Sequence, residues 1–442
     1  MKRPMNRVLY LLFTAAIILT FGLAACTSET EAPAPTQPPS VEETEVGDQP
    51  TPEPTQRPPV DVTVWVYNMD NEAVLNAFTT VANEWAQING DTVTIVNYPY
   101  FELLGKVEIA FPAGEGPDLV EMPHTDVGVW AQAGLIAPLS EGVLSESERA
   151  LYQPSAMDTF IYDGQVYGIP QIADIVLLMY NKELISEPPE TMEELIQVAK
   201  ELTEGDTYGF LMLDNNMWYG WGFLSGYGAY IFGQEEDGSF NPNDLGFFSP
   251  GAIEGMQYLK TLRYEHNLIP EDIDWNIFTG TFTEGRCAMI FNNANQAGIY
   301  RQAGIDVGMA VMPELPNGQM PLPLLNVHGW GINAFSDYQQ AASELAVYLG
   351  ANLPVPLFEV SPGDIPVRID AMEDPVIAEN PDAFAMSKQV EFSQAVPNLP
   401  EMGSVWVPVN NAFELVIKGE KTAEQALYES AQAVKSALAD FE

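Results

Sequence analysis

Between Tyr162 and Lys182 the chain reads YDGQVYGIPQIADIVLLMYNK. This stretch constrains the fold more than any other, because it reads as one chain leaving a first compact lobe and entering a second. Val166, Tyr167 and Ile169 have the composition of a short strand that Pro170 is expected to end. Ile175 to Tyr180 is an apolar run of strand length, closed by the polar corner Asn181-Lys182. Asp174 sits alone in that apolar context, and a carboxylate there needs a partner, from the protein or from a ligand.

At 442 residues the chain exceeds one ordinary core, so two or more domains are expected. A formal charge of −45, from 62 acidic against 17 basic residues, argues against nucleic acid as a partner, because phosphates would be repelled.

Lys2, Arg3 and Arg7 precede an apolar run from Val8 to Ala25, the pattern of a secretory signal. The run is also about long enough for an uncleaved membrane anchor, which takes ~20 residues. Leu23-Ala24-Ala25-Cys26 favours the first reading, because small residues ahead of a cysteine resemble the bacterial lipobox. Residues 1–25 are then a lipoprotein signal peptide, Cys26 is lipidated, and the rest of the chain lies outside the cytoplasm, in the periplasm or at the outer face, held to a membrane. Cys287 is the other cysteine, so the mature chain has no intramolecular disulfide, and in its GRCAMIF context it reads as a small core residue. Residues 26–60 are rich in Pro, Thr, Glu and Gln with few aliphatics, the composition of a disordered tether.

The folded part opens with the alternating strand Val62 to Val66, a helical pattern from about Ala73 to Gln87, and a strand from Val93 to Val96. A helix from Phe101 to Phe111, a turn at Ala113 to Pro117, a strand from Asp118 to Val120 and a helix from Asp126 to Ala133 follow. This alternation implies an α/β fold with a mostly parallel sheet flanked by helices. Thr191-Met-Glu-Glu194 has the form of a capping box opening a helix to about Leu202. Further helices are expected at Pro250 to His266, Asp337 to Leu349 and Thr422 to Leu438, with strands at Gly308 to Met312 and Gly331 to Ala334.

Six segments carry a resemblance: GEGPDLV (114 to 120), WAQAGLIAPL (130 to 139), GIPQIADIVLLMYNKELI (168 to 185), FTEGRCAMIF (282 to 291), WGIN (330 to 333) and PNLPEMGSVW (397 to 406). In this order and spacing the chain resembles the family 1 extracellular solute-binding proteins of ABC importers, those similar to maltose- and maltodextrin-binding proteins. The resemblance covers nearly all of Val62 to Glu442. It implies the two-lobed periplasmic-binding-protein fold (type II), whose chain crosses between lobes three times, here near Ala173, His328 and Asp370. The first lobe would be residues 61–172 with 330–372, and the second 173–329 with 373–442. A carbohydrate held in the cleft would close the lobes, because only the closed form contacts it from both sides. ABC importer permease subunits would then read closure. A monomer without cofactor or metal is implied.

Sugars present C–H faces and rings of hydroxyls, so a sugar site needs flat aromatics together with carboxylates or amides. The cluster Asn215-Asn-Met-Trp-Tyr-Gly-Trp221 offers both. The resemblance puts Asn216 at an acid's place and Trp218 and Tyr219 at stacking aromatics, whereas Trp221 reads as core. Trp406 matches a stacking tryptophan and Asp174 an acidic position at the first crossing, where a hydrogen bond to a backbone amide is the alternative role. In the first lobe the match weakens. Met122 stands where the family has a stacking tryptophan, Thr125-Asp126 replace an Asp-Arg pair, Met69-Asp70 replace an Asp-Lys pair, and Asn295 replaces another tryptophan. Asp70, Tyr98, Thr125 and Asp126 are candidate first-lobe contacts, Trp330 a candidate replacement stacking surface, and His328 a structural residue.

Enzymatic signatures are missing from the sequence: it has no GxSxG elbow, no HExxH and no Walker loop. The oxygen-rich run Asp237 to Asp244 carries Pro242 where a calcium loop of the EF-hand type needs glycine, and reads as a hairpin loop. A sensor that hands its occupied form to a membrane receptor would carry the same sequence features as an importer's binding protein.

Overall fold

The computed structural model describes residues 57–235 and 239–439. The signal segment, Cys26 and the tether up to residue 56 lie outside the described residues. The last tether residues are docked, against the boundary expected at residue 60. Arg57 donates to Asp91 at 2.8 Å and lies 5.7 Å over the Trp85 ring, and the Val60 amide donates to the same carboxylate at 2.9 Å. A cation in a Pro-rich run that composition marks as disordered is fixed by one buried acid.

Strand Asp61–Tyr67 leads to helix Glu72–Asn89, whose N-cap Asn71 accepts from the Ala73 amide and which ends at Gly90 in the left-handed region (φ 75°). Phe78, Val81, Ala82 and Trp85 recur at helical spacing and are buried. Strand Thr92–Tyr98 pairs parallel with Asp61–Tyr67 in the register Tyr67 to Tyr98. After helix Tyr100–Ala113, strand Leu119–Pro123 joins the other edge, also parallel. Three strands therefore present their C-terminal ends on one side, with Tyr67, Tyr98 and the turn His124–Asp126 at their tips.

Two long strands join the halves of the molecule. Gly168–Asn181 runs antiparallel to Leu324–Asn333 through its first half, and to Cys287–Asn293 and Val307–Ala310 through its second. Leu324–Asn333 pairs on its other edge with Leu119–Pro123, and Cys287–Asn293 pairs parallel with Tyr208–Leu211. Each half thus keeps parallel pairing on its outer side and shares the long strands at the centre.

Pro170 does not end a strand as expected. Opposite it the register shifts, so that His328 faces Ile172 and Gly329 faces Pro170 with Gln171 left over. The bulge absorbs a residue that cannot donate to the ladder, and the strand continues. A Cβ at Gly329 would lie 2.2 Å from the Ile169 carbonyl oxygen, so the close approach at this point requires glycine.

The third connection follows Ile365–Pro366, which pairs with Ile172 and Ala173. Arg368 donates to both oxygens of Asp370, at 2.8 and 2.7 Å, and lies 5.3 Å over Tyr152 of the first half. Helix Pro381–Glu391 then packs on the second half, where Asp382 accepts from the Met309 amide at 2.9 Å. Within 373–442 the segment Gln394 to Asn398 returns to the first half. Val396 offers its carbonyl to His124 at 2.7 Å, and Asn398 donates to the Thr159 and Ile161 carbonyls at 2.8 Å each.

Helix Met192–Leu202 opens with the full capping box of Thr191 and Glu194. Of the run 237–244, the described residues Phe240 to Asp244 fall in an antiparallel pair, Phe232–Gln234 with Phe240–Leu245. Trp221 and Cys287 are fully buried, as core.

Candidate functional site

Two helices of the second half form a pocket of about 680 Å³, lined by Asn215, Asn216, Trp218, Tyr219, Trp406, Asn410 and Glu414. Asn216 caps helix Met217–Ser225, its Oδ1 accepting from the Tyr219 amide at 3.1 Å. Asn410, on helix Trp406–Ile417, accepts from the Met217 amide at 2.8 Å and ties the two helices together. They approach closely at Gly220, where a Cβ would come within 2.3 Å of the Phe413 ring. Behind the Asn215-Asn216 turn, Asp214 is fully buried and takes two hydrogen bonds from Arg263, at 2.8 and 2.5 Å. That ion pair fixes the turn from which the pocket aromatics project.

Trp218 and Trp406 are half-buried, so each keeps part of its ring accessible. Tyr219 is more enclosed, with its ring edge-on to Phe278 and its hydroxyl donating to Asn292 at 3.1 Å. The Trp218 indole donates to Asn293 at 2.8 Å, and Asn293 reaches Asp174 Oδ2 at the long distance of 3.5 Å. The pocket is thereby wired to the strand that both halves share.

Asp174 has the backbone contact offered as its alternative role. The Ile175 amide hydrogen-bonds its carboxylate, while its Oδ1 is buried with no hydrogen-bond partner. Burial, and then the charge of Asp364, push its pKa up to about 7. Across the sheet Asn326, aligned with Asp174, has a buried unpartnered Oδ1. The Asn326 amide group contacts His328 Nε2 at 3.2 Å, and His328 Nδ1 pairs with the Tyr67 hydroxyl. Burial lowers the His328 pKa to about 4, so its ring is neutral. Tyr67 in turn donates its amide to Glu121 at 3.1 Å, whose pKa burial raises to about 8.

In the first half Asp126 has a buried, unpartnered Oδ2, and burial, then Glu108, raise its pKa to about 7. Thr125 lies beside it in the His124–Asp126 turn, half-exposed. Asp70 is exposed, with Asn97 donating to it at 3.4 Å. Tyr98 is edge-on to Trp65 at 5.1 Å, with Lys106 Nζ 5.0 Å over its ring.

Of the expected site residues, Asp174, Asp70, Tyr98, Thr125, Asp126, Trp330 and Asn295 do not line that pocket. Trp330 is 1% exposed, stacked on Phe78 at 5.2 Å, with its indole donating to Gln171 at 2.9 Å. It is core beneath helix Glu72–Asn89 and has no face to offer a ligand, which corrects the reading of it as a stacking surface. Asn295 is exposed, and its oxygen accepts from neighbouring Gln296 at 3.0 Å. Met122, at the place of the family's tryptophan, is fully buried.

Sequence reasoning missed Glu121, Asn293, Asn326, Asn410 and Glu414. Glu121 carried the signal that marked Asp174, a lone carboxylate in the apolar run LVEMP. The two strand asparagines carried none, because their roles depend on pairing between strands more than 100 residues apart, 119 between Asn293 and Asp174.

The chain matches the family model for bacterial extracellular solute-binding proteins over residues 70–352. It is 32% identical over 352 residues to the galactooligosaccharide-binding protein of Bacillus subtilis, covering 78% of this chain and 83% of that one. It is 29% identical over 372 residues to the maltotriose-binding protein of Pyrococcus abyssi, covering 82% of this chain and 79% of that one. Its fold superposes with a TM-score of 0.80 on a cyclo/maltodextrin-binding protein complexed with maltotetraose, at 32% identity, covering 87% of this chain and 99% of that one. Fold, order of segments and relatives agree: the chain belongs to the bacterial extracellular solute-binding protein family.

Proposed function

We propose that this chain is an extracytoplasmic carbohydrate-binding lipoprotein that captures an oligosaccharide between two hinged lobes and delivers it to the permease subunits of an ABC importer. One observation carries the reading: Trp218 and Trp406 line one pocket with Asn215, Asn216, Asn410 and Glu414. Indole faces suit the C–H face of a pyranose, and amides and carboxylates suit its hydroxyls. The pocket volume falls in the range of small-molecule sites, roughly 300–1,000 Å³. Relatives that bind galactooligosaccharides and maltotriose support a sugar ligand.

The lobes that close are residues 61–172 with 330–372, and 173–329 with 373–442. Asp174, on the first strand to cross between them, sits where a hydroxyl would satisfy its free oxygen. Asp126 and Asn326 offer two further free acceptors, and each hydroxyl they take removes a desolvation cost of about 1–3 kcal/mol left by an unpaired buried group. Asn216, Tyr219, Thr125, Asp70 and Tyr98 complete the contacts. The protein acts as a monomer held to the membrane by lipid on Cys26, with the run from Thr27 to Gln56 as a tether.

A thermal-shift screen of the purified protein against maltose, maltotriose, maltotetraose, galactooligosaccharides and monosaccharides tests the reading. A ligand that binds only the folded state raises the melting temperature with its concentration. The expected result is a shift with an oligosaccharide. Folded, ligand-free protein that shifts with no carbohydrate would refute it.

A further inference from the structure

We propose that Tyr100 and Phe101 are the first lobe's stacking platform for a pyranose ring of the ligand, with Asp126 hydrogen-bonding one of that ring's hydroxyls. The inference rests on the carbohydrate reading above and supplies what that reading lacks, a flat face on the lobe opposite Trp218 and Trp406.

The usual sources of such a face are spent. Met122 is fully buried, Trp330 is stacked in the core, and Tyr98 has Lys106 over its ring. Helix Tyr100–Ala113 begins at the C-terminal tip of strand Thr92–Tyr98, the side of a parallel sheet where ligands bind. Its start is fixed there: Asn68, in the left-handed region at φ 51°, accepts from the Tyr100 amide at 3.1 Å.

From that anchor an aromatic ladder runs outward. Tyr67, paired with His328 on the crossing strand, stands edge-on to Tyr100 at 5.0 Å, and Tyr100 stands edge-on to Phe101 at 5.1 Å. Edge-to-face packing orients a ring while leaving its outer face free, and Phe101 is 85% exposed. A single exposed apolar residue needs no explanation. Phe101 differs because the same strand tips carry a carboxylate with an unpaired buried oxygen: Asp126, in the turn that follows strand Leu119–Pro123. An apolar face together with an unsatisfied acceptor is the pairing a sugar ring matches, and in the second half Trp218 is linked through Asn293 to Asp174, whose Oδ1 is unpaired.

The test is isothermal titration with maltotetraose and with a galactooligosaccharide on wild type, Phe101→Ala, Phe101→Trp, Asp126→Asn and Trp406→Ala. Phe101→Ala is expected to weaken binding about tenfold, the scale of one aromatic contact and its buried area. Phe101→Trp, which keeps the face, retains wild-type affinity within about threefold, the spread of aromatic pair energies. The ligand-free melting temperature should be the same in both Phe101 variants and wild type, because an 85% exposed ring contributes little to the core. If Trp406→Ala loses affinity while Phe101→Ala binds as wild type, the platform is refuted and the carbohydrate reading stands. If wild type binds neither sugar and also shifts with no carbohydrate in the thermal screen, both fall together.

Discussion

Asp174→Asn should stabilise the protein at alkaline pH while weakening its ligand binding. In the folded state burial and Asp364 raise the Asp174 pKa from 3.8 to about 7. The folded state therefore holds the proton over a window where the unfolded chain has released it. Stability from this group is fully present below pH ~4 and is lost as pH rises towards ~7. At about 1.4 kcal/mol per decade of pKa the loss is on the order of 4 kcal/mol, an upper value because relaxation and water entry reduce it. Asparagine never ionises, so the variant escapes the loss. Urea unfolding of both proteins at pH 4.5, 6, 7 and 8 measures it. The stability of Asp174→Asn relative to wild type should rise by ~2–4 kcal/mol between pH 4.5 and 8, most of it below pH 7. The asparagine also replaces one acceptor oxygen with a donor, so sugar affinity should fall in the same variant. A stability difference that stays flat across this range would refute the claim that Asp174 is a buried acid without a charge partner.

Trp406→Ala should weaken oligosaccharide binding by about 10- to 100-fold with little change in the ligand-free melting temperature, read by titration calorimetry, because a half-buried indole's main loss is its stacking surface. Arg263→Ala removes the ion-pair partner of fully buried Asp214, so it should cost ~3–5 kcal/mol by chemical denaturation. It should also lower sugar affinity, through the Asn215-Asn216 turn that the pair supports. Glu121→Gln should flatten the fall in stability between pH ~4.5 and 8, by the same reasoning as for Asp174, since burial raises the Glu121 pKa to about 8. Its readout is the melting temperature at the two ends of that range.

The elements that sequence revealed are those whose periodicity is local. Strand Asp61–Tyr67, helix Glu72–Asn89 and the capping box at Thr191 all show their spacing within one window. Pro170 misled because its local rule, that proline ends a strand, was overruled by a bulge formed with a partner 159 residues away, at Gly329. Trp330 misled for a related reason. Its place beside a crossing was visible in the chain, but the helix lying over it, which brings Phe78 onto its ring, was not. Asp174 was legible because a lone carboxylate in an apolar run is costly wherever the strand goes. The partners that give it meaning, Asn293 and Asn326, come together only through strand register.

The most direct test of the account is a crystal structure with the oligosaccharide that shifts the melting transition. The account predicts a pyranose ring stacked on Trp406 and Trp218, with a sugar hydroxyl about 3 Å from Asp174 Oδ1. A sugar bound elsewhere, or one that leaves that oxygen unpaired with both indoles bare, would contradict it.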